Sequence, residues 1–181
     1  MAHTYFFALF PDAAALDRSE EAADTLQSVC ALRGRRIVRA RLHLTWHFIG
    51  RFAEPNPEME SRALAAGDRL ACAPFVVLLD RALTFGRERG SAPCVFETST
   101  PPAALLSAAD ELRRAMGGAA AVPHADHPFR PHLTWLYSPD RIAEPLAIAP
   151  ISWRAVEFAL VHRVSGEATY RIVRCWSLKI A

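Results

Sequence analysis

The sequence predicts a duplicated α+β protein, and three observations point there. Strand-like and helix-like patterns alternate so that each half supplies a helix-led unit followed by strands. The tetrapeptide His-Leu-Thr-Trp occurs twice, at 43–46 and at 132–135. The 181 residues are 51% hydrophobic, enough to bury one core in a single domain spanning 1–181. Outside the tetrapeptide the halves share little, so the duplication rests on element order and on the motif.

The elements follow in order. "TYFFALFP" alternates like a strand and stops at Pro11-Asp12. The next segment sets Leu16, Ala23, Leu26, Cys30 and Leu32 near one helical face, and Gly34 is placed to close that helix. Residues 37–52 are β-branched, aromatic and alternating, which predicts two short strands or one irregular strand ending near Gly50. "EPNPEMESRALAAGDRLACA" carries prolines and acidic residues at its start, as a second helix should. Strands are expected near 75–85 and 93–98, around a turn at 86–90. For the third helix, Ser99 or Thr100 can cap, Pro101 or Pro102 suits the first turn, and Gly117-Gly118 can stop it. Its buried stripe is Leu105, Ala109, Leu112 and Met116. The second His-Leu-Thr-Trp strand follows a loop rich in Pro and His. "ISWRAVEFALVHRV", a turn at Gly166 and "ATYRIVRCWSLKI" are expected to close the chain as a hairpin.

Composition excludes several classes. Twenty-one Lys and Arg against nineteen Asp and Glu leave a formal charge of +2, too little for a broad basic groove on long RNA. The four cysteines, Cys30, Cys72, Cys94 and Cys175, form no CxxC pair, so neither a zinc ribbon nor a disulfide framework is expected. No stretch approaches the roughly 18 apolar residues of a membrane span, and the N-terminus lacks the basic leader and cleavage site of a signal peptide. A soluble, cytoplasmic chain with no membrane partner is expected, acting as a monomer.

The motif carries the chemistry. Side chains alternate along a strand, so His43, Thr45 and His47 should share one face while Leu44, Trp46 and Phe48 share the core face. In the second copy His132 and Thr134 should face outward while Leu133 and Trp135 face the core. Two such strands can line one cleft. Histidine titrates near neutrality, so a facing pair can hold one neutral imidazole as base and one imidazolium as acid. Threonine hydroxyls two residues on can donate to the oxygens of a phosphoryl group gathering charge. His43 and His47 also have metal-ligand spacing, but neither motif holds a third ligand, so no metal and no cofactor are expected.

Two H-x-T motifs in this order, with "FFALFP" at the start, "HLTWHFIG", "FRPHLTW" and a terminal strand beginning at a tyrosine, resemble the 2H phosphoesterase superfamily. The likeness runs from Phe6 to about Leu178 and is nearest to the RNA 2′,3′-cyclic phosphodiesterases, also called 2′-5′ RNA ligases. It implies a bilobal α+β fold with an antiparallel sheet in each lobe, helices outside and a central cleft. It further implies hydrolysis of RNA or nucleoside 2′,3′-cyclic phosphates to 2′-phosphates, with reversible 2′-5′ joining. RNA ends or nucleotides bearing that cyclic phosphate are the partners so implied. His43 and His132 match the catalytic histidines, and Thr45 and Thr134 the phosphate-binding threonines. The analogy leans to His43 as acid on the leaving 3′ oxygen and His132 as base for water. The sequence leaves that direction open.

The chain departs from the family pattern where a basic residue often follows each motif: it has His47 after the first and Leu136-Tyr137 after the second. Arg130, two residues before His132, is the substitute candidate because a guanidinium grips phosphate bidentately. A solvated loop arginine is its other reading. His47 and Tyr170 are further candidates for substrate contact, Tyr170 by stacking on a base; Phe7 is read as core rather than as a base platform. His124 and His127, and Arg87 and Arg89 in the turn, are read as solvated loop groups rather than lid or steering residues. Two alternatives to the enzyme reading stand: a nucleotide-binding module without turnover, and a phosphodiesterase for another small cyclic phosphate.

Overall fold

The computed structural model of the chain describes residues 1–86, 90–117 and 129–179. The candidates Arg87, Arg89, His124 and His127 lie outside the described residues. The elements are β1 (His3–Leu9), α1 (Ala13–Val29), β2 (Arg35–Arg36), a 3-10 turn (Arg39–Arg41), β3 (Leu44–Phe52), α2 (Pro57–Arg69) and β4 (Phe75–Thr84). After these come β5 (Ala92–Glu97), α3 (Ala103–Ala115), β6 (His132–Ser138), β7 (Leu146–Ala155), β8 (Glu157–Val164) and β9 (Arg171–Ser177).

The strands form an antiparallel array in the order β7-β4-β5-β6-β3-β1-β8-β9, with β2 beside β6. It divides into two halves, β7-β4-β5-β6 and β3-β1-β8-β9, because β6 and β3 meet through the single residue pair Leu44 and Leu133. These are the same position of the two His-Leu-Thr-Trp copies. The bilobal α+β fold with an antiparallel sheet in each lobe is therefore present. Its helices cross between the lobes: α1 follows β1 of the first lobe yet packs on β7 of the second, and α3 joins two strands of the second lobe yet packs on β3 of the first. Trp46 fixes the latter contact by donating its Nε1–H to the Leu105 carbonyl at 2.9 Å.

Local chemistry explains the helix starts. Asp12 caps α1 by accepting from the Ala15 N–H at 2.8 Å, and Asn56 caps α2 by accepting from the Met59 N–H at 2.9 Å, with Pro57 in the first turn. The α3 cap differs from expectation. Ser99 and its backbone N–H bind Asp80 of β4 instead, and the helix begins after Pro102 without a side-chain cap. Its stripe of Leu105, Ala109, Leu112 and Met116 is buried as expected, and so is Phe7.

Three boundaries move. Helix α1 ends at Cys30 rather than at Gly34, since Ala31 already turns left-handed at φ 49°. Strand β3 runs through Gly50 to Phe52. The "ISWRAVEFALVHRV" segment breaks at Val156 into β7 and β8, which belong to different lobes, so the terminal hairpin is β8 with β9.

Gly34 has a different job from closing a helix. It sits at φ 131° before β2, and a Cβ there would lie 2.1 Å from the Tyr137 carbonyl oxygen of β6. Both the backbone angle and the contact forbid a side chain. Gly34→Ala is expected to cost at least about 2 kcal/mol of stability. Chemical denaturation checks this; an unchanged urea midpoint would refute it.

Candidate active site

At the junction of the lobes the chain closes a cavity of about 370 Å³ whose walls include His43, Thr45, His132 and Thr134. The Leu44–Leu133 pair explains why they meet. Both leucines are fully buried, and in antiparallel strands the flanking residues of one copy run toward those of the other in reverse order. His43 is thereby carried toward Thr134 and Thr45 toward His132.

Each histidine ring is held by the backbone two residues before it. His43 Nδ1–H donates to the Arg41 carbonyl at 2.8 Å, and His132 Nδ1–H donates to the Arg130 carbonyl at 2.7 Å. A carbonyl can only accept, so both neutral rings carry their proton on Nδ1 and leave Nε2 unprotonated. His43 Nε2 accepts from the Thr45 hydroxyl at 3.1 Å. Nε2 is the nitrogen that can exchange a proton with a bound molecule.

The two rings differ in surroundings. His43 lies against Phe6 (4.9 Å between ring centres), Tyr170 (5.3 Å, edge-on) and Phe10 (6.2 Å). Burial pulls its pKa down to about 4, assisted by the charges of His132, Arg41 and Arg163 and opposed by the bond to the Arg41 carbonyl. His132 lies edge-on to Phe85 at 4.7 Å. Burial lowers its pKa too, helped by the Arg130 charge, while the Arg130 carbonyl and the Glu97 carboxylate work the other way. Glu97 is the cross-strand partner of His132, is almost wholly buried, and binds Arg130 Nε at 2.6 Å and Arg81 at 3.1 Å. Of the two rings, His132 is thus the easier to protonate.

The other sequence candidates separate. Tyr170 lines the cavity and lies edge-on to His43. The Arg130 guanidinium is not among the lining groups; it is tied to Glu97 and rests over the Phe85 ring at 4.5 Å. His47 is also absent from the lining, and Phe48 stands there in its place. The reason is a β-bulge. Pairing with β1 jumps from Phe7–His47 to Ala8–Thr45, leaving Trp46 without a partner, and the residues beyond it change face. His47 consequently sits within the field of Arg113 on α3, and burial there lowers its pKa to about 4.

The second copy repeats the device. Pairing with β5 jumps from Cys94–Leu136 to Val95–Thr134, so Trp135 is the bulged residue and Tyr137 reaches the cavity at the offset Phe48 has in the first copy. Strict alternation missed both aromatics. It also missed Arg41 and Arg163, the arginines that line the cavity. A signal for the first was present: Arg41 and Arg130 stand at the same distance before each motif, so the repeated unit is Arg-x-His-Leu-Thr-Trp. Among the described residues, no group of three or more His, Cys, Asp or Glu side chains is placed to hold a metal ion. No helix of the described residues is long and apolar enough to cross a membrane.

The family model of the 2′-5′ RNA ligase superfamily matches residues 10–167. The chain belongs to that superfamily. Its fold is that of the 2H phosphoesterases, as solved structures bear out. TT0787 of Thermus thermophilus is 25% identical over 98% of both chains with a TM-score of 0.77. E. coli LigT complexed with 3′-AMP is 23% identical over 99% of both chains with a TM-score of 0.71. E. coli LigT complexed with phosphate is 24% identical over 98% of both chains, also with a TM-score of 0.71. No curated protein matches the chain in sequence.

In this superfamily member the buried Glu97 is what distinguishes one histidine from the other. Its negative charge favours the His132 imidazolium, so Glu97→Gln is expected to lower the His132 pKa further while leaving His43 nearly unmoved. Histidine ring titration by NMR measures both; an unmoved His132 would remove Glu97 from this role.

Proposed function

We propose that the chain hydrolyses 2′,3′-cyclic phosphates of RNA ends or nucleosides to 2′-phosphates, as one bilobal domain over residues 1–181, using its two histidines as acid and base. The observation that carries this reading is the convergence of both His-x-Thr pairs on one cavity. The superfamily match and the 3′-AMP and phosphate bound by E. coli LigT support a nucleotide phosphate as occupant.

In the reaction, the base takes a proton from water as its oxygen bonds to phosphorus. The phosphorus–O3′ bond breaks, and the acid supplies the proton that the 3′ oxygen needs to leave. Thr45 and Thr134 donate to the non-bridging oxygens. Water, proton and leaving group are all accounted for by groups of the chain, so the mechanism calls for no metal. With a 5′ hydroxyl in place of water as the nucleophile, the same step would join RNA through a 2′-5′ bond, and its reverse would cleave that bond.

The surroundings of the rings favour His43 as base and His132 as acid, the reverse of the direction the resemblance suggested. His43 stays neutral down to about pH 4, whereas His132 keeps its proton more readily beside Glu97. The Glu97 carboxylate favours placing a single shared proton on His132.

The productive free state, with His43 neutral and His132 protonated, forms above the His43 pKa and is lost as pH rises through the His132 pKa. Since that lies below the ordinary 6.5, kcat/KM is expected to peak on the acid side of 6.5. A pH profile that rises monotonically through neutrality would contradict it.

With EDTA present, His43→Ala and His132→Ala are each expected to lose about 10²- to 10⁴-fold in turnover of a 2′,3′-cyclic nucleotide, the wild-type product being the 2′-phosphate. A substrate with sulfur at the leaving 3′ position needs little protonation. It should restore much of the rate to His132→Ala and little to His43→Ala. Restoration of His43→Ala instead would return the acid role to His43. Nucleotide binding without turnover by wild type would favour the binding-module reading.

A further inference from the structure

The repeated Arg-x-His-Leu-Thr-Trp unit contains twin arginines whose backbones do the same thing and whose side chains do not. Arg41 and Arg130 each lend a carbonyl to the following histidine ring. The guanidinium of Arg130 is consumed by Glu97 and lies over Phe85. That of Arg41 has no hydrogen-bond or ion-pair partner among the described residues, and its Nε is shut away from solvent with nothing to donate to. It faces the cavity, over the Tyr170 ring at 5.0 Å.

The neighbouring strand explains the divergence. Leu44 pairs with Leu9 on β1, and Leu133 pairs with Phe96 on β5, so the residues that follow, Phe10 and Glu97, occupy equivalent places. Where the second lobe offers a buried carboxylate, the first offers a phenyl ring. One arginine is neutralised within the fold. The other is left charged at the cavity wall, where its planar fork matches an anion with two accessible oxygens. Tyr170 beneath it limits the planes the fork can adopt, so it is oriented before anything binds.

We infer that Arg41 is the residue that grips the anionic oxygens of the substrate's phosphoryl group, whereas Arg130 is a positioning residue for His132. The inference rests on the phosphoryl-transfer reading above and assigns within it the cation that neither threonine can supply. Arg163, from β8 at the exposed side of the cavity, adds a second positive charge nearby. Both arginines depress the proton affinity of His43, which puts both within electrostatic range of that ring.

The test is calorimetric titration of the full chain with inorganic phosphate, without turnover. Arg41→Met keeps the apolar stem and removes the fork, and is expected to weaken phosphate binding by at least about tenfold. Arg41→Lys keeps charge without the bidentate geometry and should lose several-fold, giving a second reading if the methionine variant folds poorly. In the phosphate-free protein, Arg41→Met should also raise the His43 pKa seen by NMR, because a neighbouring cation has gone. Phosphate binding by Arg41→Met within twofold of wild type overturns the assignment, and so does a wild type that binds no phosphate at millimolar concentration. Failure of the hydrolysis reading looks different: there, wild type turns over no cyclic phosphate while the Arg41 dependence of phosphate binding persists.

Discussion

Everything at the site depends on one cross-strand contact. Leu44 and Leu133 are buried to the last atom and form the whole of the β3–β6 pairing. A longer ladder would have zipped the two motifs flat against each other and closed the cavity. A single pair lets the strands part immediately on either side while their His and Thr residues stay opposed. The crossed helices hold that geometry from outside, since α1 packs on the second lobe and α3 on the first. Neither lobe can swing without dragging a helix across the other's sheet.

Duplication alone would give two equal histidines, and equal groups are a poor acid–base pair. The chain breaks the equality at one position beside each motif, Phe10 just past the end of β1 near His43 and Glu97 on β5 opposite His132. The aromatic neighbour desolvates its ring and leaves an arginine unpaired. The carboxylate favours a charged ring and takes an arginine out of play. Burying Glu97 would by itself be costly, and the guanidinium groups of Arg81 and Arg130 offset that cost. The difference between the two histidines is thus a property of the chain at Phe10 and Glu97, outside either motif.

The element order and the pairs His43–Thr45 and His132–Thr134 were legible in the sequence, because hydrophobic period and a repeated tetrapeptide are local signals. What escaped was set by pairing. Alternation carried past Trp46 put His47 on the cavity face, but the bulge at that tryptophan exchanges it for Phe48, and an unpaired residue in a ladder leaves no mark in one strand read alone. The tie of Arg130 to Glu97 could not be read from the motif because that partner is 33 residues away in sequence. Arg41 carried the same motif offset as Arg130, yet its freedom follows from the absence of a carboxylate at Phe10, which only the strand register reveals. The tendency to assign the helix end to Gly34 failed for the same reason: its glycine is required by β6, a partner far along the chain.

The low proton affinity of His43 describes the empty cavity, where burial and two arginines act together against a third positive charge. A phosphoryl group of the proposed substrate reverses the balance. Its negative charge meets the guanidinium of Arg41 and makes an imidazolium tolerable where it was not before, so binding the anion and binding a proton assist each other. The phosphate's charge thus offsets the cations that keep His43 neutral before binding and brings its pKa upward, toward the range in which a base can both accept a proton from water and return it. Reciprocity requires phosphate affinity to fall as the rings deprotonate. In the proposed reaction the arginines and the two histidines are in this way one electrostatic system, with the substrate's phosphate as counter-charge.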